Sequence, residues 1–92
     1  MSEHWKGIGK LVEECGEVLQ LCGKAIPFPT GNHPDGLGSI DTRIELELGD
    51  LLAAIAYVID ENGLDGEMIH TRKAHKLYKF KEWGLTGIQE HP

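Results

Sequence analysis

Residues 46–59 read LELGDLLAAIAYVI, an apolar run interrupted by two acidic residues. As a helix, this run would present apolar side chains on nearly every face, and such a helix has to be covered on more than one side. Ser39, Asp41 or Thr42 is suited to cap its N-terminus, and Asn62-Gly63 is a typical helix end. The stretch therefore predicts a helix over about residues 40–61.

Two further helices are predicted on either side of this one. Apolar residues between Ile8 and Cys22 recur at spacings of three and four, which predicts an amphipathic helix over about residues 5–22, capped by Gly23. The segment after Gly63 predicts a third helix over about residues 66–83. No alternating apolar run bounded by turn residues predicts a strand, so we expect a single all-α domain over residues 1–92.

Two segments have no regular pattern. Residues 24–39 are rich in proline and glycine, which predicts an irregular loop of the length typical of functional lids. Phe28 is the aromatic residue of this loop that we would test for covering a base. Residues 84–92 are polar and without periodicity, and we expect a loosely held tail.

Composition limits the classes of function. The chain has 9 Lys and Arg against 15 Asp and Glu, for a net charge of −6, which disfavours a general nucleic-acid binder. No apolar run reaches the roughly 18 residues of a membrane span, and no apolar signal segment stands near the N-terminus. Cys15 and Cys22 are too far apart on one helix to pair, so we expect buried thiols and a cytoplasmic location, the host cytoplasm if a phage encodes the chain.

Acidic side chains stand where apolar ones would be expected. Glu14 and Glu17 on the first helix, like Glu47 and Asp50 on the second, are three residues apart, so each pair projects from one face. Unpaired carboxylates on an apolar helix are costly, and like charges at this spacing repel. Lys10 and Arg43 can each pair with one acid, which leaves the others without a compensating cation.

A hard divalent cation would supply the missing charge. Carboxylates without consistent His or Cys partners favour Mg²⁺ or Mn²⁺, and Mg²⁺ is usually bound by a few carboxylates together with substrate phosphates. The third helix carries bases three or four residues apart that could contact outer phosphates, although a solvated basic face is the alternative. These bases are Arg72, Lys73, Lys76 and Lys79.

These motifs resemble those of a known family. EECGE at residues 13–17 followed by ELGD at residues 47–50 resembles the EExxE…ExxD signature of the MazG-like nucleoside triphosphate pyrophosphohydrolases, the all-α NTP pyrophosphatase superfamily. Residues 71–78 look like the downstream basic helix of that family, with His75 where Asn often stands. The resemblance extends over residues 8–80, and the chain is most similar to short, single-domain, phage-like forms.

The resemblance implies a Mg²⁺-dependent split of a nucleoside triphosphate into monophosphate and pyrophosphate, with Mn²⁺ as a substitute. It implies that Glu13 either positions the metal ligands without binding the metal itself or accepts a proton from the attacking water. It implies phosphate contacts from the basic helix, by Lys73 and His75 and, with them, Arg72 and Lys76. The implied metal ligands are Glu14, Glu17, Glu47 and Asp50.

The resemblance also bears on partners and substrates. Members of the superfamily complete a helical bundle from two chains, so we expect a homodimer or homotetramer, in agreement with the surplus apolar surface of the second helix. The likeness to short phage forms puts dGTP and GTP narrowly ahead of other nucleotides. Two alternatives are a catalytically silent oligomerisation or regulatory module that keeps the fold, and a nucleic-acid-binding homodimer, which the net charge disfavours.

Overall fold

The computed structural model describes the backbone of residues 4–86 and the side chains of residues 4–84. It is all-helical over this range, as predicted, and contains no β-strand there. No helix within these residues has an apolar stretch long enough to cross a bilayer. The helices are α1 (Ile8–Ala25), α2 (Ile40–Asn62) and α3 (Gly66–Thr86).

The ends of α1 differ from the predicted 5–22. Gly7 precedes the helix with φ +81°, and a Cβ there would lie 2.5 Å from the Tyr57 ring, so this close approach requires glycine. Gly23, expected to cap the helix, lies within its last turn. The helix ends shortly before Pro27, which has no N–H to continue the ladder.

The other boundaries are close to those predicted. Ser39 is the N-cap of α2, and its hydroxyl accepts the N–H of Thr42 at 3.3 Å. Gly63 ends α2 in the left-handed conformation at φ +60°. The third helix begins at Gly66 but continues to Thr86, so the predicted tail 84–92 begins inside it and otherwise lies outside the described residues.

The first two helices pack against each other in antiparallel orientation. The backbone N–H of Lys6 donates to Oδ1 of Asn62 at 3.0 Å, and Nδ2 of Asn62 donates to the Lys6 carbonyl at 2.9 Å. The start of α1 is thereby held beside the end of α2. The buried apolar side chains between the two helices are Leu21, Ile40, Ala54 and Val58.

A second apolar stripe of α1 lies beside the stripe that packs against α2, and its side chains are exposed in the single chain. Its members follow one another at intervals of four and three residues, and Leu19, for example, is 74% exposed. Cys15 and Cys22, which we expected to be buried, are exposed in the single chain, because α2 covers the neighbouring stripe of α1 that contains Glu14 and Leu21. We call the exposed set the α1 stripe; it consists of Ile8, Val12, Cys15, Leu19, Cys22 and Ile26.

Helix α3 extends from α2 with little packing against the other helices. None of its described side chains is buried, and only Lys79 and Trp83 are half-buried. Met68 and Tyr78 are 69% and 64% exposed. A single chain therefore leaves this helix largely uncovered.

The loop between α1 and α2 is irregular, as predicted, but it is tied to both helices through Asp35. One Asp35 carboxylate oxygen accepts Nζ of Lys24 at 3.0 Å, and the Arg43 guanidinium donates to both oxygens at 3.1 and 3.2 Å. The Asp35 N–H donates to Nδ1 of His33 at 3.0 Å, and the Leu37 N–H donates to the Asp35 carboxylate. We call Lys24, His33, Asp35 and Arg43 the Asp35 network.

This network predicts how stability depends on acid. Burial acts to raise the pKa of Asp35, but the hydrogen bonds from Leu37, Lys24 and Arg43 outweigh it and hold the pKa well below its ordinary 3.8. The folded state thus favours the carboxylate, so its stabilisation is complete above pH 3.8 and is lost as the pH falls below that value.

We expect Asp35→Asn to lower the melting temperature at pH 7 and to flatten its fall between pH 5 and pH 2, measured by circular dichroism. The matched control is Asp60→Asn, which changes an exposed aspartate near the other end of α2. If both variants show the same acid dependence as the natural chain, the network does not stabilise the fold in this way.

Candidate metal and phosphate site

The paired helices bring the predicted carboxylates together. Glu14 and Glu17 lie one turn apart on α1, and Glu47 and Asp50 lie one turn apart on α2. Carboxylate oxygens of Glu14, Glu47 and Asp50 all lie within 4.8 Å of one another. We call Glu14, Glu17, Glu47 and Asp50 the carboxylate cluster.

A second group of oxygens shares one member with the first. Oxygens of Glu13, Glu14 and Glu17 also lie within 4.8 Å of one another. Glu14 therefore joins the two groups, at the contact between α1 and α2. Separations of this size allow two or three carboxylates to share one cation, since oxygen ligands of Mg²⁺ lie about 2.1 Å from the ion.

Burial distinguishes this cluster from an ordinary acidic surface. Glu14 is only 7% exposed, and its Oε2 is buried with no hydrogen-bond partner among the described residues. Oε2 of Glu47 is buried without a partner in the same way. Buried carboxylate oxygens almost always have a partner, so these two atoms are the ones that a bound cation could satisfy.

The surroundings of Glu14 disfavour its negative charge. Burial raises the pKa of the Glu14 carboxyl, and the negative charges of Glu17 and Asp50 raise it further, while Lys10 opposes the rise. The site is therefore short of positive charge when no cation is bound. A divalent ion would satisfy the orphaned oxygens and screen the mutual repulsion of the carboxylates.

Lys10 supplies only part of the compensation. Its Nζ lies 3.6 Å from Oε1 of Glu14 and 3.4 Å from Oε1 of Glu13. The charge of Glu13, foremost, raises the pKa of Lys10, whose side chain is 59% exposed. Arg43, the other base considered as a partner for these acids, pairs with Asp35 instead.

Cavities lie on both sides of the carboxylate cluster. Glu14 and Asp50 line a cavity of about 340 Å³ together with Lys10 and Tyr57. Glu17 and Glu47 line a second cavity of about 450 Å³, whose wall also includes Lys24 and Arg43. The cluster thus stands between two spaces, each of which also has a cation in its wall.

Lys24 was not among the residues that the sequence assigned to the site. It lies seven residues after Glu17, and Arg43 lies four residues before Glu47, so helical spacing alone puts each base on the same face as an acid. That spacing is the signal that could have identified both bases. The closing of the loop around Asp35, which fixes them there, has no comparable signature in the sequence.

The side chains expected to contact phosphates lie elsewhere in the single chain; they are Arg72, Lys73, His75 and Lys76. Arg72 and His75 line a separate cavity of about 580 Å³ that is formed by α3 and the residues before it. Lys76 lies over the Phe80 ring, 5.9 Å from its centroid. Like Lys73, these residues stand on the exposed α3, and none of them lines either cavity beside the carboxylate cluster.

Phe28, considered as a cover for a base, is half-exposed and packs edge-on against His33, with the ring centroids 4.8 Å apart. It therefore belongs to the loop held by the Asp35 network.

Comparison with known proteins adds no family assignment. No protein-family model matches the chain, and no curated protein or solved structure matches it either. A functional interpretation therefore depends on the geometry and chemistry of the carboxylate cluster and its two cavities.

Proposed function

We propose that the chain is a nucleotide pyrophosphohydrolase that depends on Mg²⁺, or on Mn²⁺ in its place, and converts a nucleoside triphosphate to the monophosphate and pyrophosphate. The observation that carries the proposal is the buried Glu14 carboxylate, whose Oε2 has no described partner although Glu47 and Asp50 lie beside it. A carboxylate is kept in such a place when a bound cation compensates it.

The donor set favours a hard cation. Both groups that could hold a metal among the described residues consist of carboxylates alone, without histidine or cysteine. Such oxygen donors suit Mg²⁺ and Mn²⁺ better than Zn²⁺. In this proposal the carboxylate cluster holds the ion or ions, which supply screening of phosphate charge and a more acidic bound water.

The chemistry of the substrate follows from what Mg²⁺ sites need. Because Mg²⁺ usually combines a few carboxylates with substrate phosphates, the cavities beside the cluster favour a polyphosphate ligand. The oxygen of a water molecule forms a bond to a phosphorus atom of the bridge that joins the monophosphate to the pyrophosphate. The P–O bond of that bridge breaks, which releases the two products, and the proton of the water passes to a carboxylate. Glu13, at the exposed edge of the group with Glu14 and Glu17, is our candidate acceptor.

The reaction can be tested with the eight common NTPs and dNTPs in the presence of Mg²⁺ or Mn²⁺, with the products resolved by anion exchange. We expect monophosphate and pyrophosphate, with dGTP and GTP assayed first because of the resemblance to short phage forms. Diphosphate with orthophosphate would keep the metal site but contradict the proposed bond. No turnover by the folded chain would contradict the enzyme.

The rival function is a silent helical module, which the separation of the α3 bases from the carboxylate cluster favours. Metal binding distinguishes the two. For the enzyme, we expect Mn²⁺ at about 100 times its Kd to stabilise the fold by about 2.7 kcal/mol, a rise of roughly 10–20 °C in melting temperature. Ca²⁺-free buffer with EDTA is the control, and an unchanged melting curve would favour the silent module.

Self-association is part of the proposal. A single chain leaves the α1 stripe and most of α3 uncovered, and apolar surface of this extent is typical of an interface. The α1 stripe has the alternating four- and three-residue spacing with which two helices pack along a common seam. We therefore expect a homodimer through the α1 stripe, or a homotetramer if α3 provides a second interface.

A further inference from the structure

We propose that Lys24 and Arg43 form the phosphate-binding wall of the nucleotide site, in the cavity that Glu17 and Glu47 also line. This inference rests on the proposed function, and it names a binding pair that is separate from the basic helix α3. All four side chains line one cavity of about 450 Å³.

The arrangement matches a metal-bound polyphosphate. Phosphate groups that share a cation with carboxylates still carry negative charge on the oxygens that do not contact the cation. Positively charged donors bind these oxygens best. The cavity that Glu17 and Glu47 line is bounded by two such donors, one from the last turn of α1 and one from the first turns of α2. Arg43 is suited to bidentate phosphate contacts, and Lys24 adds a point charge.

The two bases are held in fixed positions before any ligand arrives. Their side chains are 30% and 16% exposed, and both donate to the Asp35 carboxylate at 3.0–3.2 Å. Arg43 uses two of its five N–H groups for Asp35, which leaves three for another acceptor. A preorganised pair of this kind binds an anion without first having to order two long side chains.

Asp35 neutralises only one of the two positive charges. Lys24 and Arg43 bring two positive charges to the single negative charge of the Asp35 carboxylate. Lys24, Arg43 and Asp35 together therefore keep one net positive charge at the cavity wall. Asp35 acts as a positioning residue, while the two bases make the contacts to the ligand.

The test is calorimetric titration of the full chain with inorganic pyrophosphate, in Mn²⁺ buffer and in metal-free buffer. Loss of the charge-assisted hydrogen bonds in Arg43→Gln or Lys24→Met is expected to raise the Kd for pyrophosphate by about tenfold to a hundredfold. The matched control is Lys81→Met, which removes an exposed positive charge from α3 outside the residues considered for phosphate contacts, and it is expected to bind as the natural chain does.

A second variant separates binding from structure. Asp35→Asn loosens the positions of the two bases but keeps both positive charges and removes a competing negative charge, so we expect a loss of pyrophosphate affinity clearly smaller than that of Arg43→Gln. If Asp35→Asn weakens binding as much as Arg43→Gln, the effect is structural and the proposal is wrong. It is also wrong if Lys81→Met weakens binding while Arg43→Gln and Lys24→Met do not.

Metal binding is measured separately, as the Mn²⁺-induced rise in melting temperature. Variants of Lys24 and Arg43 are expected to keep this rise, since neither side chain belongs to the carboxylate cluster. Failure of the natural chain to respond to Mn²⁺ would contradict the proposed function, and the metal-free titration would still test the phosphate wall. Full pyrophosphate affinity in Arg43→Gln and Lys24→Met would contradict the wall alone.

Discussion

Replacing Glu47 with glutamine is expected to abolish turnover and Mn²⁺ binding while it raises the melting temperature of the metal-free chain. The loss of a metal ligand, and with it of the ion that screens the reacting phosphates, removes several kcal/mol of transition-state stabilisation. The rate is then expected to fall by about 10³-fold or more. Few substitutions would move activity and stability so far in opposite directions.

The gain in stability comes from the crowding of negative charge. Oxygens of Glu14, Glu47 and Asp50 lie within 4.8 Å of one another, and Oε2 of Glu47 is buried with no partner among the described residues. A glutamine amide of the same shape removes one negative charge and supplies N–H donors for the remaining carboxylates. A catalytic metal site keeps such a strained arrangement because the bound ion compensates it.

The matched control is Glu45→Gln, two residues earlier on α2, where the side chain is exposed and outside the carboxylate cluster. It is expected to leave turnover, the Mn²⁺ response and the metal-free melting temperature nearly unchanged. Melting curves with and without Mn²⁺, together with the nucleotide assay, measure all three properties. Retained turnover in Glu47→Gln would remove this residue from the metal site, and a lower metal-free melting temperature would contradict the repulsion argument.

Much of the fold follows from local signals in the sequence. Apolar spacing identifies α1 and a long apolar run identifies α2, while Ser39 and Gly63 mark the ends of α2 because capping depends on residues within one turn. Local signals do not fix the end of α1, since Gly23 is compatible with a cap as well as with the last turn. The helix ends only at Ala25, close to Pro27. Helix ends therefore follow the strongest stop signal and not the first.

The carboxylate cluster is also largely visible in the sequence. A spacing of three residues puts Glu14 beside Glu17 and Glu47 beside Asp50, and the pairs can meet once the two helices pack. The sequence does not reveal that Glu14 becomes the buried member. That outcome depends on the rotation of α1 about its own axis when it packs against α2.

The same rotation explains why Cys15 and Cys22, which we expected to be buried, are exposed in the single chain. Helix α1 has two apolar stripes, one with Leu21 at the contact with α2 and one with Cys15 and Cys22 on the outside. Periodicity shows that a stripe exists but not which neighbour covers it. The positions of Lys24 and Arg43 depend on loop closure around Asp35, which is equally non-local.

The exposed stripe leads to the second large effect, a change in oligomeric state. We expect the natural chain to be a dimer or tetramer at micromolar concentration and Leu19→Lys to be a monomer there. Leu19 is 74% exposed in the single chain, at the centre of the α1 stripe. Covering one leucine contributes about 1.5–3 kcal/mol, and a symmetric interface contains two copies, so the dissociation constant should rise by at least about 100-fold.

Gln20→Lys is the control, because it introduces the same charge at the next residue of the same helix, about 100° around the axis from Leu19 and outside the α1 stripe. Sedimentation velocity over a range of concentrations is expected to show this variant associating like the natural chain. A natural chain that stays monomeric would contradict self-association altogether. A Leu19→Lys variant that still associates would move the interface from the α1 stripe to another uncovered surface, such as that of α3, none of whose described side chains is buried.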